Sequence, residues 1–360
     1  MTTAHINRIG TAVPDHDIHE PFVGFARTLL PDGRTRGMFD RMAQRSGIAH
    51  RYSPMRPGRL EAGEVDAGGF YQRGRFPGTA ARMARYEPWA LQLASRAIDR
   101  LELSSHERAA VTHLVVASCT GFTAPGLDLQ LAQALGLRPD VERTIIGFMG
   151  CSAAVPALRQ ARQAVRSDPA ARVLVVNLEL CTLHMQETAE LETVLSFLLF
   201  ADGCAAALVT ADPHGIALCD FRCAVIPDSR ELITWHIGDQ GFEMYLSGKV
   251  PGRISQALRA DLDRADPGGL LRGEGTRAVD LWAVHAGGRT VLDAVEIGLA
   301  LRPEALAHSR AVLRDFGNMS SATVMFVLRR MLGGETGQRG MGMAFGPGMV
   351  AETFRFRIAS

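Results

Sequence analysis

At 360 residues the chain is long enough for two domains, or for one large duplicated unit, with a sizeable core. Its 39 basic and 38 acidic side chains leave a formal charge of +1, which argues against a protein that coats nucleic acid or an anionic membrane. Apolar residues at 47% and charged residues at 21% argue against disorder, collagen-like repeats and coiled coils.

Up to about Tyr86 the sequence reads as turn-rich and Arg-rich, with an amphipathic stretch from Met38 to Ser46 and a glycine-rich surface excursion from Gly58 to Gly78. A helix is expected from Tyr86 to Leu101, then a buried strand from Val111 to Ala117. The next strand is Thr144 to Phe148, followed by a turn at Gly150-Cys151-Ser152 and a helix to about Arg166 with Pro156 in its first turn. Strands are expected at Arg172–Leu180, Cys204–Thr210 and Leu218–Ile226, with a helix ending near Phe200 between the first two. The second half repeats the scheme. A helix runs from Pro251 to about Ala265, a strand from Val279 to Val284 ends at His285-Ala-Gly-Gly288, and a helix follows from Thr290 to Leu301. Asn318 opens a helix over Met319–Leu332, and Met341–Phe345 and Met349–Ile358 are the last strands. Such strand–helix alternation predicts an α/β protein with parallel sheets covered on both faces, in two similar halves over residues 1–225 and 226–360 whose sites meet at the junction.

The N-terminal segment has no long apolar run behind a basic start, and no apolar stretch approaches the roughly 20 residues of a membrane span, so a cytoplasmic protein without a membrane span is expected. The six cysteines are too sparse for a disulfide framework and are expected as free thiols. Cys219, Cys223 and His214 match no zinc spacing, so no metal is expected.

Cys151 follows an apolar strand and precedes a helix, where the positive end of the helix dipole favours a thiolate and Gly150 permits a sharp turn. A nucleophile would be built there; a buried structural cysteine fits the same segment. His285 sits at the carboxyl end of a strand, the edge where open α/β sheets bind ligands, and a capping histidine is the alternative. Asn318 taken alone reads as a helix N-cap. Together the three are the parts of a thioester enzyme: a thiolate to attack the acyl carbon, and an imidazole N–H and an amide NH₂ to donate to a thioester oxygen that becomes an enolate.

Gly150-Cys151, Trp282-Ala-Val-His285-Ala-Gly-Gly288, Phe316-Gly-Asn318-Met-Ser-Ser-Ala322 and Phe345-Gly-Pro-Gly348 resemble the motifs of the type III polyketide synthases, the chalcone synthase-like condensing enzymes. Cys119-Thr-Gly-Phe-Thr-Ala-Pro-Gly126, Leu199-Phe-Ala-Asp-Gly203 and Val250-Pro-Gly252 support the resemblance, in family order over almost the whole chain. It implies a thiolase-like, five-layered αβαβα fold and a homodimer working on acyl-CoA and malonyl-CoA with no cofactor beyond those thioester substrates. It also implies that Cys151 carries the starter, that His285 helps hold it as thiolate, and that His285 and Asn318 stabilise the enolate left when malonyl-CoA loses CO₂.

By the same resemblance Phe200 is an aromatic gatekeeper whose apolar face aids decarboxylation. Arg41 and Arg45 match two CoA-phosphate contacts; the third falls on Met38, and Arg289 is a candidate substitute. Met244 stands where plant members carry a second aromatic gatekeeper and Trp235 where they carry glycine, while Cys119, Thr120, Cys181, His184 and Ser320 belong to the pocket. The stretch Gly241–Ser247 is similar to bacterial members that take long fatty acyl starters and make alkylpyrones or alkylresorcinols. A ketoacyl-carrier-protein synthase with a single condensation, a cysteine hydrolase and a non-catalytic thiolase-like binding protein are the competing readings.

Overall fold

The structure, a computed structural model, describes residues 2–359. Strand β1 (Ala4–Ala12) opens the chain, and a two-rung ribbon of β2 (His16–Asp17) and β3 (Tyr52–Ser53) flanks helices α1 (His19–Leu29) and α2 (Gly33–Arg45). Helices α3 (Thr79–Asp99) and α4 (Ser105–Ala109) lead into β4 (His113–Ser118), α5 (Leu127–Ala134), β5 (Glu142–Gly147), α6 (Ala154–Ser167) and β6 (Val173–Leu180). Next come α7 (Leu191–Leu199), β7 (Asp202–Thr210), β8 (Gly215–Val225) and the hairpin of β9 (Ile233–Gly238) and β10 (Gly241–Leu246). The remainder is α8 (Val250–Arg264), β11 (Leu281–Val284), α9 (Arg289–Gly298), α10 (Ala307–Phe316), α11 (Ala322–Met331), β12 (Arg339–Gly346) and β13 (Val350–Ala359).

Nine strands form one sheet in the order β11-β12-β13-β8-β1-β7-β6-β4-β5. Successive side chains of a strand point to opposite faces, and the core divides accordingly. On β4, Val115 faces α6 and α11, whereas Leu114 and Val116 face α3 and α5. On the other half-sheet Phe354 and Ile358 meet α6 and α11, while Trp282, Val284 and Met343 meet α8 and α9. Helices α6 and α11 are therefore sandwiched between two half-sheets, each covered outside by a further helix pair. This is the expected five-layered αβαβα arrangement.

Two features differ from the sequence reading. The sheet is mixed: only β4 with β5, β4 with β6 and β11 with β12 run parallel, and the other neighbours are antiparallel. β1 lies in the segment read as turns, yet it sits between β7 and β8 and joins the half-sheets; its polar residues His5, Asn7 and Arg8 hide the apolar alternation. The 58–78 segment is the surface excursion expected, most of it exposed, and it is anchored: Asp66 accepts the amides of Gly68, Phe70 and Tyr71, and Tyr71 and Phe76 pack with Phe25 of α1. Among the described residues no helix is long and apolar enough to cross a membrane.

Candidate active site

Cys151 is delivered by the turn between β5 and α6. The backbone passes through Phe148 (φ 54°) and Gly150 (φ 56°) into a single 3₁₀ turn at Gly150–Ser152. That left-handed conformation favours glycine, and a Cβ on Gly150 would stand 2.5 Å from Pro347 Cδ. Across this close approach the turn meets the Gly346-Pro347 corner that links β12 to β13, where a Cβ on Gly346 would strike Ser152 Oγ.

His285 follows β11 directly, and its amide donates to Met343 O at 2.8 Å. Its ring is buried, and neither Nδ1 nor Nε2 has a hydrogen-bond partner. Burial depresses its pKa to about 3, so the free imidazole is neutral.

Asn318 is held on both sides of its backbone: its N–H donates to Leu199 O at 2.8 Å and its carbonyl accepts from Ala201 N at 2.9 Å, forming a bridge beside Phe200. Its Oδ1 accepts from Ser320 N at 2.9 Å, while Nδ2 donates to Gly287 O at 3.1 Å, two residues past His285. Helix α11 begins at Ala322 with Ser321 as its N-cap residue, so Asn318 is not the cap. The side chain is fixed for another purpose, with its second amide hydrogen turned toward Cys151.

Cys151, His285 and Asn318 line one cavity, together with Cys119, Thr120, Cys181, Phe200, Trp235, Met244 and Ser320. Burial pushes the Cys151 thiol up to about 11, against hydrogen bonds from Ser320 and Asn318 that favour the thiolate. Burial thus outweighs the helix-end effect anticipated from sequence, and ionisation requires a proton acceptor. His184 stands behind the wall: Phe242 N donates to its Nδ1 at 2.9 Å, which makes Nε2–H the donor to Thr120 O at 2.7 Å. Trp235 braces the same wall through Nε1–H to Cys119 O at 2.8 Å and an edge contact with His184.

Sequence reasoning missed Glu179. This buried acid near the end of β6 accepts from Cys119 N at 3.1 Å, Thr120 Oγ1 at 2.9 Å and Ser321 Oγ at 2.5 Å, and burial raises its pKa to about 7. An acidic residue in an otherwise apolar run was the available signal. Also unforeseen were the apolar walls Ile233, Leu246, Val250, Ile254 and Phe345.

An outer depression of about 1180 Å³ shares Leu246, Val250, Gly287 and Val291 with the cavity and holds Arg45 and Arg289 at its rim. Arg289 Nη1 donates to Arg45 O at 3.2 Å and its Nε pairs with Asp293 at 3.6 Å. Arg41 lies exposed on α2 and does not line the depression. All six cysteines are free, and among the described residues no cluster of His, Cys, Asp and Glu is arranged to hold a metal ion.

The profile of the chalcone and stilbene synthases' N-terminal domain matches residues 2–213, and that of their C-terminal domain residues 220–359. Bisdemethoxycurcumin synthase of Oryza sativa subsp. japonica is 34% identical over 380 residues, covering 99% of this chain and 93% of its own. The alpha-pyrone synthesis polyketide synthase-like Pks18 of Mycobacterium tuberculosis is 32% identical over 284 residues, covering 75% of this chain and 70% of its own. Among solved structures, PKS-I of the brown alga Ectocarpus siliculosus superposes with a TM-score of 0.83 at 29% identity, covering 99% of each chain. The 1,3,6,8-tetrahydroxynaphthalene synthase of Streptomyces coelicolor A3(2), a bacterial type III polyketide synthase, does so with a TM-score of 0.84 at 28% identity, again over 99% of each. Fold and comparisons together define a thiolase-like acyltransferase. The chain belongs to the chalcone and stilbene synthase family, the type III polyketide synthases.

Proposed function

We propose that the protein loads a medium- or long-chain fatty acyl group from acyl-CoA onto Cys151, extends it with malonyl-CoA and releases a cyclised alkylpyrone or alkylresorcinol-type product. The observation that carries the chemistry is that His285 presents two unpartnered ring nitrogens in the cavity that also holds the Cys151 thiol and Asn318. In loading, the thiol proton passes to His285, the sulfur attacks the acyl carbon, and coenzyme A leaves with a proton returned by the imidazole. Malonyl-CoA then occupies the cavity with its thioester oxygen between the His285 N–H and the Asn318 amide hydrogen that faces Cys151. Loss of CO₂ leaves an enolate on that oxygen, and its carbon attacks the Cys151 thioester, which frees the sulfur and lengthens the chain by two carbons. The ring of Phe200 and the apolar walls keep the malonyl carboxylate poorly solvated, which favours its departure as neutral CO₂.

The fatty starter is supported by the cavity's apolar lining, by flexible Met244 in place of a rigid ring, and by similarity to a protein named for α-pyrone synthesis. Arg45 and Arg289 stand where CoA phosphates would meet guanidinium groups, with exposed Arg41 as an outlying contact. We place the enzyme in the cytoplasm as a homodimer, with sedimentation analysis as the check on its assembly.

The test is incubation with a panel of fatty and aromatic acyl-CoA starters and malonyl-CoA, with products identified by mass spectrometry. Extended, cyclised alkyl products are expected; free fatty acid alone would indicate hydrolysis, and exclusive use of aromatic starters would refute the fatty reading. Cys151→Ala should lose the covalent acyl adduct and all extension while still releasing CO₂ from malonyl-CoA, and continued extension by that variant would exclude Cys151 as nucleophile.

A further inference from the structure

We propose that the exposed face of α2 docks a small acidic carrier protein, which delivers the fatty acyl starter as a thioester on its phosphopantetheine arm. The inference rests on the reading that a fatty acyl thioester loads Cys151, and it names the macromolecule that supplies it. Arg34, Met38, Arg41, Met42 and Arg45 are all exposed and fall within about 100° of the helix circumference. Phe39, on another side, anchors the helix in the core it shares with α1 and α7. Among the described residues none of the three guanidinium groups makes an ion pair or a hydrogen bond. The one acid inside the helix, Asp40, turns away from them and pairs with Arg27 of α1 at 3.5 Å. A chain of formal charge +1 thus keeps an unopposed cationic stripe here.

The stripe runs onto the mouth of the site. Met42 and Arg45 line the outer depression, which shares Leu246, Val250, Gly287 and Val291 with the cavity of Cys151. Coenzyme A and a carrier protein present the same phosphopantetheine arm, so both thioesters reach Cys151 by this depression and differ only in what stays outside. A nucleotide finds its cations at the rim, in Arg45 and Arg289. Arg34 lies three turns before Arg45, about 16 Å along the helix, and neither it nor Met38 lines the depression.

Met38 and Met42, exposed at 39% and 49%, offer a phosphate nothing, whereas a protein surface covers them. Adaptable apolar side chains ringed by charge match the apolar centre and polar rim of a protein interface. Three unopposed guanidinium groups then steer an acidic partner onto it and reject a basic one. A membrane is the poorer fit. Helices that lie on lipid carry Trp, Phe or Leu on the inserted face, and here that face holds only two methionines among cations. Once the arm has entered, the Cys151 sulfur bonds to the acyl carbon as the carrier's acyl–sulfur bond breaks, and the proton from Cys151 leaves on the carrier's thiol.

The experiment uses the full-length enzyme with the hexadecanoyl thioesters of a purified bacterial acyl carrier protein, of coenzyme A and of pantetheine, and follows the acyl adduct on Cys151 by mass spectrometry. The carrier thioester should load at least about tenfold faster than the pantetheine thioester at equal concentration, and the advantage should shrink as salt is raised to about 0.3 M. The double variant Arg34→Glu, Met38→Glu alters two exposed positions away from the depression. Its loading rate from the carrier should fall at least about tenfold while that from hexadecanoyl-CoA stays within about twofold, and Arg34→Lys with Met38→Leu should keep both wild-type rates. An equal fall for the two thioesters, or none for either, overturns the proposal. So does binding to phosphatidylserine vesicles that the double variant loses with its carrier kinetics unchanged, which assigns the stripe to lipid. Loading from coenzyme A but not from the carrier removes the docking and leaves the fatty acyl reading intact. Failure of the wild-type enzyme to load from either removes both.

Discussion

Replacing His285 with alanine should change the acidity of Cys151 before it changes anything else. With His285 neutral in the resting enzyme, burial above all leaves that thiol at about 11, so about one molecule in 10⁴ carries a thiolate at pH 7 until a base accepts the proton. The imidazole is the one histidine ring lining the cavity among the described residues, and both its nitrogens are unengaged. It is therefore the group to which the proton goes. Iodoacetamide reads the thiolate fraction directly, with mass spectrometry assigning the label to Cys151. At pH 7 the His285→Ala protein should be alkylated at least about 100-fold more slowly than wild type, and its rate should climb about tenfold per pH unit toward pH 10. Asn318→Ala, which keeps the acceptor, should stay within about tenfold of wild type. Equal rates and superimposable pH profiles for wild type and His285→Ala would refute the reasoning. A linked stability effect has a definite sign. The folded thiol pKa lies above the ordinary value of 9.0, so this contribution is intact below about pH 9 and is lost as the pH rises toward 11.

Gly150→Ala forces a side chain into a left-handed turn and against Pro347, at a cost of about 1–3 kcal/mol, so thermal denaturation should begin at a lower temperature and acyl loading should slow. Arg51→Met removes the donor to the Phe197 and Phe200 carbonyls; with about 1–3 kcal/mol lost per buried unsatisfied group, the urea midpoint should fall clearly, and an unchanged midpoint would mean that those carbonyls find other partners. The ring of His184, held near 3 by burial and bonded at both nitrogens, should remain neutral with its proton on Nε2 across pH 5–8; an imidazole ¹⁵N titration with a midpoint above 5 would contradict the arrangement. The sign for stability follows: with a folded pKa below its unfolded value, His184 weakens the fold as the pH drops from about 6.5 toward 3.

Strand β11, which carries His285, was readable because its residues form a buried apolar run ended by a glycine turn, whereas β5, which leads to Cys151, is a largely exposed edge strand legible only from its Ile145-Ile146 pair and the glycines after it. Strand direction was not readable. Antiparallel neighbours such as β6 and β7 are joined through α7, so the same strand–helix alternation serves both directions. β1 escaped notice because Asn7 spends its side chain on Asp212 O and His214 O, a long-range satisfaction that no local pattern announces. The start of α3 at Thr79 is obscured by the glycines before it and by Pro88 inside it. At the site, identities were legible and partners were not. His184 looked like a pocket residue until its two bonds turned it into a brace, and Asn318 looked like a cap until the helix proved to start four residues later.

The central place of β1 also sets the order in which the molecule can be completed during synthesis. The first strand to leave the ribosome has both edges open until β7, which begins at Asp202, and then β8 have emerged. At about 5–20 residues per second that interval lasts roughly 10–40 s. Throughout it, a nascent chain carries a strand whose backbone donors and acceptors await partners nearly 200 residues downstream, an opening for chaperones or for misplaced pairing between neighbouring chains on the same message. The strand that joins the two half-sheets thus makes the start of the chain dependent on strands some 200 residues later, and a fragment ending before β7 would lack the partner that its own first strand requires.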